Sequence, residues 1–132
     1  MLRQGVLRVD NKTLVDFARE ELERIKRERA ERFGGEILRI EEGNIYSVEL
    51  SASAEFKRVN TRFGERVVIP VIYNNESRVL MVNPNGRLYR MLIEGILEAT
   101  KKVRDPSKIV KFAITISRID RYHYKVSVIP VI

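Results

Sequence analysis

Ile45-Tyr46-Ser47-Val48-Glu49-Leu50-Ser51-Ala52-Ser53-Ala54-Glu55-Phe56-Lys57 alternates from end to end. Tyr46, Val48, Leu50, Ala52, Ala54 and Phe56 share one side, and the polar residues with Ile45 share the other. Successive side chains of a strand point to opposite faces, so the pattern predicts one long strand of an antiparallel sheet packed on a single side.

Downstream, the strand runs into Lys57-Arg58-Val59-Asn60-Thr61-Arg62-Phe63-Gly64-Glu65-Arg66, read as a loop with four cations around one carboxylate. Arg66 to Tyr73 is apolar on both faces, and Pro70, which cannot donate to a ladder, places a bulge or a sheet edge there. Asn74-Asn75-Glu76-Ser77 reads as a turn and Arg78 to Val82 as the return strand. Asn83 and Pro84 suit the N-cap and first position of a helix, along which Leu88, Leu92, Gly95, Ile96, Ala99 and Val103 recur at helical spacing. Asp105-Pro106 stops that helix, and Val110 to Ile116 with Tyr124 to Val128 form a closing hairpin.

Upstream, Glu42-Gly43-Asn44 predicts a hairpin turn from a strand of Ile37, Leu38 and Ile40. Before it stands a helix from Leu14 to Phe33, started by Thr13 and Asp16 in a capping-box-like pair and ended by Gly34-Gly35. Leu14, Phe17, Ala18, Leu22 and Ile25 form its apolar stripe, whereas Lys26 to Arg32 is charged nearly all round and is expected to extend beyond the core. A short strand at Gly5 to Val9, followed by the cap candidates Asp10 and Asn11, completes the order β-α-β-β-β-β-α-β-β. The expected fold is an α+β domain covering residues 1–132, a twisted antiparallel sheet of about six or seven strands with both helices packed on one face.

Composition narrows the setting. The chain has no cysteine, which removes disulfides and thiolate ligands and favours an intracellular, cytoplasmic protein. No apolar run is long enough to span a bilayer, and the first residues lack the apolar core of a signal peptide, so no membrane association is expected. With 33% charged residues and 17 arginines against 8 lysines, the composition also suits a thermophile.

The net charge of +7 is unevenly spread: residues 36–56 carry −4, whereas 57–104 carry +6 and 105–132 carry +3. If those later segments meet in space, they make an electropositive footprint for nucleic acid. Lys57, Arg58, Arg62 and Arg66 are the candidate phosphate contacts, with Phe63 offering a ring to an unpaired base. Arg87 and Arg90, at the start of the second helix, are a further candidate anion site. The first helix is read as self-neutralised, because Glu20–Arg24, Glu23–Arg27 and Glu28–Arg32 are i,i+4 pairs in the favourable order.

Catalysis is not expected. His123, the single histidine, has Asp120 as a neighbour but no third ligand for zinc and no serine partner to form a triad. Glu55-Phe56-Lys57 has the E-x-K spacing of metal-dependent nucleases, but only Glu41 or Glu42 is available as the partner acid. No metal or other cofactor is assigned. The reading is a non-enzymatic module that binds single-stranded DNA or RNA through phosphates. The alternative is an assembly module, most simply a dimer, associating through an apolar sheet face of Val67, Ile69, Val71, Ile109, Ile119, Ile129 and Val131.

Overall fold

A computed structural model describes residues 13–132, except for the side chains of 30, 32 and 33. The predicted strand at 5–9 and the caps Asp10 and Asn11 lie outside the described residues. Helix α1 (Leu14–Phe33) is followed by strands β1 (Glu36–Ile37), β2 (Ile45–Ser51), β3 (Lys57–Thr61), β4 (Gly64–Tyr73) and β5 (Glu76–Val82). Helix α2 (Arg87–Lys101), a 3₁₀ turn (Pro106–Lys108), β6 (Lys111–Arg118) and β7 (Tyr124–Val131) complete the chain. The strands form one seven-stranded, mostly antiparallel sheet in the order β1-β5-β4-β2-β6-β7, with β3 also on β4. The fold is α+β, as its sequence pattern predicts.

The long alternating segment is two strands, not one. At Ser51 the chain turns: the Ser53 amide donates to Ser51 Oγ (3.2 Å) and the Ala54 amide to Ser51 O (3.0 Å). Serine hydroxyls offer the backbone such local partners, and alanine brings too little side chain to hold a ladder against them. The chain resumes as β3, which pairs with β4 through Thr61↔Gly64, so the expected basic loop is a hairpin with Arg62 and Phe63 at its tip. Thr61 Oγ1 receives the Phe63 amide at 3.1 Å and donates to Gly64 O at 2.8 Å, while Gly64 takes φ +107°.

β4 is shared between neighbours on one edge: β3 covers Gly64 to Val68, and β2 meets it only at Ile72 opposite Glu49. Pro70 falls in the gap between them, where its missing N–H breaks no ladder. On the other edge, Asn74 and Asn75, both at positive φ, turn β4 tightly into β5.

β1 does not form a hairpin with β2. It pairs in parallel with β5, through Glu36↔Arg78 and Ile37↔Val79, and the Leu38 amide then donates to Val79 O at 2.8 Å. From there residues 38–44 cross to the end of β6, where the Gly43 amide donates to Arg118 O at 2.8 Å. Leu38 is buried in the core, and that burial decides the crossing over a local turn.

The core lies between the sheet and α2. Tyr46, Val48 and Leu50 from β2, Phe112, Ile114 and Ile116 from β6, and Leu80 and Val82 from β5 meet Leu92 and Ala99 of α2. Val67, Ile69, Val71 and Ile109 belong to this cluster, contrary to the expected outer apolar face, because pairings such as Ile69↔Leu80 set the parity of β4 independently of β2. α2 sits so close to β7 that a Cβ on Gly95 would lie 2.6 Å from Val128 Cγ2.

α2 also starts later than its sequence suggests. Asn83 Oδ1 accepts from the Asn85 amide (2.9 Å) in a local turn, and Gly86 becomes the N-cap. α1 begins as predicted, with the Asp16 amide on Thr13 Oγ1 at 3.1 Å, but its apolar stripe does not pack on the sheet. Leu14, Phe17, Leu22 and Ile25 are all exposed, so among the described residues only α2 contributes helical side chains to the core. Among the described residues, no helix is long and apolar enough to cross a membrane.

Candidate nucleic-acid interface

The crossing segment 38–44, the β3–β4 tip, the start of α2 and the β6–β7 tip bound a groove of about 970 Å³. Its apolar floor includes Leu38, Leu80 and Val82, where the core reaches the surface. Among the described residues five arginines line it: Arg29 from α1, Arg39 from the crossing segment, Arg62 from the hairpin tip, Arg87 from α2 and Arg118 from β6. Among the described lining residues there is no aspartate or glutamate. None of the five arginines takes part in an ion pair with another described residue.

The arginines are held in different ways. Arg118 is fixed: its Nη1 donates to Ile40 O at 2.7 Å, its Nη2 donates to Arg121 O at 3.2 Å, and its guanidinium lies 5.5 Å from the Tyr124 ring centre. Its Nε is buried and finds no acceptor among the described groups. Arg87 Nη1 donates to Tyr122 O at 3.3 Å, tying α2 to the β6–β7 tip. Arg62 stacks over Phe63, 5.1 Å from the ring centre, and that ring is 74% exposed. A guanidinium on an exposed ring presents charge and a flat π-surface together.

The start of α2 adds backbone donors. Gly86 has no side chain to cap the amides of the first turn, and that turn carries no acid. The first-turn amides of a helix have no partner within it and stand at the positive end of its dipole, which favours an anion there.

The groove therefore gathers three of the seven residues singled out in the sequence, Arg62, Phe63 and Arg87, and leaves out four. Arg58 is neutralised by Glu65 across the hairpin at 2.9 Å, and Arg90 pairs with Glu94 one turn along α2 at 3.5 Å. Arg66 Nη1 turns back to Glu65 O at 2.8 Å. Lys57, exposed on β3, is not among the lining residues. Arg29, Arg39 and Arg118 carry no local signal, because each is brought to the groove by the crossing segment or by the ends of α1 and β6.

Within the β6–β7 tip, Asp120 accepts from the amides of Tyr122 (2.9 Å) and His123 (3.0 Å) and contacts His123 Nδ1 at 2.8 Å. The Tyr122 amide first, and then the His123 ring, hold its carboxyl below the usual carboxylate range. Glu55 lies ahead of β3 rather than on it, so the E-x-K residues do not share one strand. Among the described residues no group of three His, Cys, Asp or Glu side chains is placed to hold a metal ion. The chain matches no family model, no curated protein and no solved structure.

Proposed function

We propose that the protein is a non-enzymatic module that binds single-stranded nucleic acid in this groove, chiefly through phosphates. The observation that carries the reading is the convergence, among the described residues, of five arginines from five separate segments on one concavity with no described carboxylate lining it. Holding like charges together costs free energy, and a polyanion repays that cost by neutralising them and releasing its own counterions.

The rings favour a single strand over a duplex. Phe63 is exposed beside Arg62, while Tyr89 and Tyr124 line the same wall. Splayed bases stack on such rings regardless of sequence, whereas the bases of a duplex are already stacked on each other. The test is fluorescence anisotropy with labelled deoxy- and ribo-oligonucleotides, single-stranded and duplex, at several salt concentrations. Preferential single-strand binding that weakens linearly in log salt supports the proposal. Absence of binding at low salt, equal affinity for duplex, or affinity indifferent to salt refutes it.

A further inference from the structure

We propose that α1 pairs antiparallel with α1 of a second copy, forming a two-fold dimer. The helix is 20 residues long, about 30 Å at 1.5 Å per residue. It meets the sheet principally at β1, beyond its own C-terminal end. Along it Leu14 is 78% exposed, Leu22 51% and Ile25 42%. Residues 14, 18, 22 and 25 follow the spacing of one helix face, so this is an unbroken apolar stripe without a cover among the described residues. A surface helix gains most of its stability from packing such a stripe, and one left in water is marginal.

Charge identifies the occupant. Residues 14–23 carry one cation and four anions, and residues 24–33 carry five cations and two anions, so the halves stand at −3 and +3. A two-fold interface presents the same patch from both sides, so it must be complementary to itself. An antiparallel pair satisfies this, because it lays the acidic half of each helix on the basic half of the other. A parallel pair sets like charge on like charge and is disfavoured. Acid first and base last also suits the helix dipole, but the dipole gives no reason for an exposed apolar stripe; the second copy accounts for both.

This surface is not the sheet face expected from the sequence. That face is mixed: Ile45, Ile72 and Ile129 are exposed on it beside Ser47, Ser51, Thr115 and Ser127, and Glu49 pairs with Lys111 at 2.7 Å. The proposal is also independent of nucleic-acid binding. It does bear on the groove's position, because Arg29 belongs to both α1 and the groove wall.

The experiment is sedimentation velocity of the full chain and of two charge-reversed variants, Glu20→Lys/Glu21→Lys/Glu23→Lys and Arg24→Glu/Lys26→Glu/Arg27→Glu. Wild type is expected to dimerise, each variant alone to be monomeric, and an equimolar mixture of the two to regain the dimer. Leu22→Ser/Ile25→Ser keeps the test open if a charge variant misfolds: it is expected to lose the dimer while its circular dichroism and thermal transition in dilute solution match wild type. A monomeric wild type, variants that dimerise like wild type, or a mixture that stays monomeric overturns the proposal.

Discussion

Replacing two groove arginines and replacing two neutralised ones should have different consequences, although each pair joins one residue of the leading candidate loop, Arg62 or Arg58, to one of the secondary site, Arg87 or Arg90. Arg62→Ala/Arg87→Ala removes two of the five guanidiniums in the groove, while Arg58→Ala/Arg90→Ala removes two already paired with Glu65 and Glu94. On a single strand each neutralised phosphate contributes about 0.7 to the slope of log affinity against log salt, so five contacts give a slope of about −3.5. Between about 50 and 200 mM salt that slope is a loss of about 100-fold. The groove variant should fall to a slope of about −2.1 and lose only about 20-fold over the same range, on top of weaker binding throughout. The paired-arginine variant should keep the wild-type slope. Anisotropy titrations at four salt concentrations measure both, and circular dichroism checks that losing the Arg87 contact to Tyr122 leaves the fold intact. Equal slopes for the two variants, or a larger change in the paired-arginine variant, would refute the assignment of the groove.

Three other outcomes test the architecture. Gly95→Ala should cost about 1–3 kcal/mol by overpacking against Val128, offset by the roughly 1 kcal/mol alanine gains within a helix, so that urea unfolding shows a net loss of up to about 2 kcal/mol; a more stable variant would mean that α2 does not lie on β7. Leu92→Ala, at a position 3% exposed, should cost about 2–5 kcal/mol in dilute protein, whereas Leu22→Ala on the exposed stripe should stay within about 0.5 kcal/mol; equal costs would place α1 in the core. Asp120 has a lowered carboxyl pKa, so its contribution to the β6–β7 tip is present above the ordinary carboxylate range and lost as pH falls through the lower folded value. In an acid titration by NMR the Tyr122 and His123 amides should shift below that ordinary range, and a shift within it would contradict the geometry.

The strands were legible because their signals are local. Asn74-Asn75 announces a tight turn whatever surrounds it, and the alternation of β6 and β7 survives in their burial. Two strand errors share one cause. The Ser-Ala-Ser-Ala run continues the alternating pattern on paper, yet Ser51 Oγ captures the Ser53 amide and the strand ends. Leu38 looked like one arm of a hairpin, but its amide is taken by Val79, more than forty residues along the chain. In both places a hydrogen-bond partner that alternation does not encode settled the path.

The same reasoning explains which part of the groove was hidden. Charge density along the chain finds cations that are neighbours in sequence, and such cations tend to have neighbouring acids. Arg58 found Glu65 through the hairpin register, and Arg90 found Glu94 through the helical repeat. A cation escapes such pairing where the fold brings segments together without their acids, as Glu41, Glu42 and Asp120 belong to these segments but are not among the described residues that line the groove. Arg39, Arg87 and Arg118 meet only because residues 38–44 cross from β5 to β6, a connection set by burial of Leu38 rather than by charge. The accumulation of unpaired positive charge is thus a property of the topology. Among the described residues the topology brings five arginines from separate segments to one concavity beside an uncapped helix start, a concentration of positive charge that no single stretch of the sequence announces.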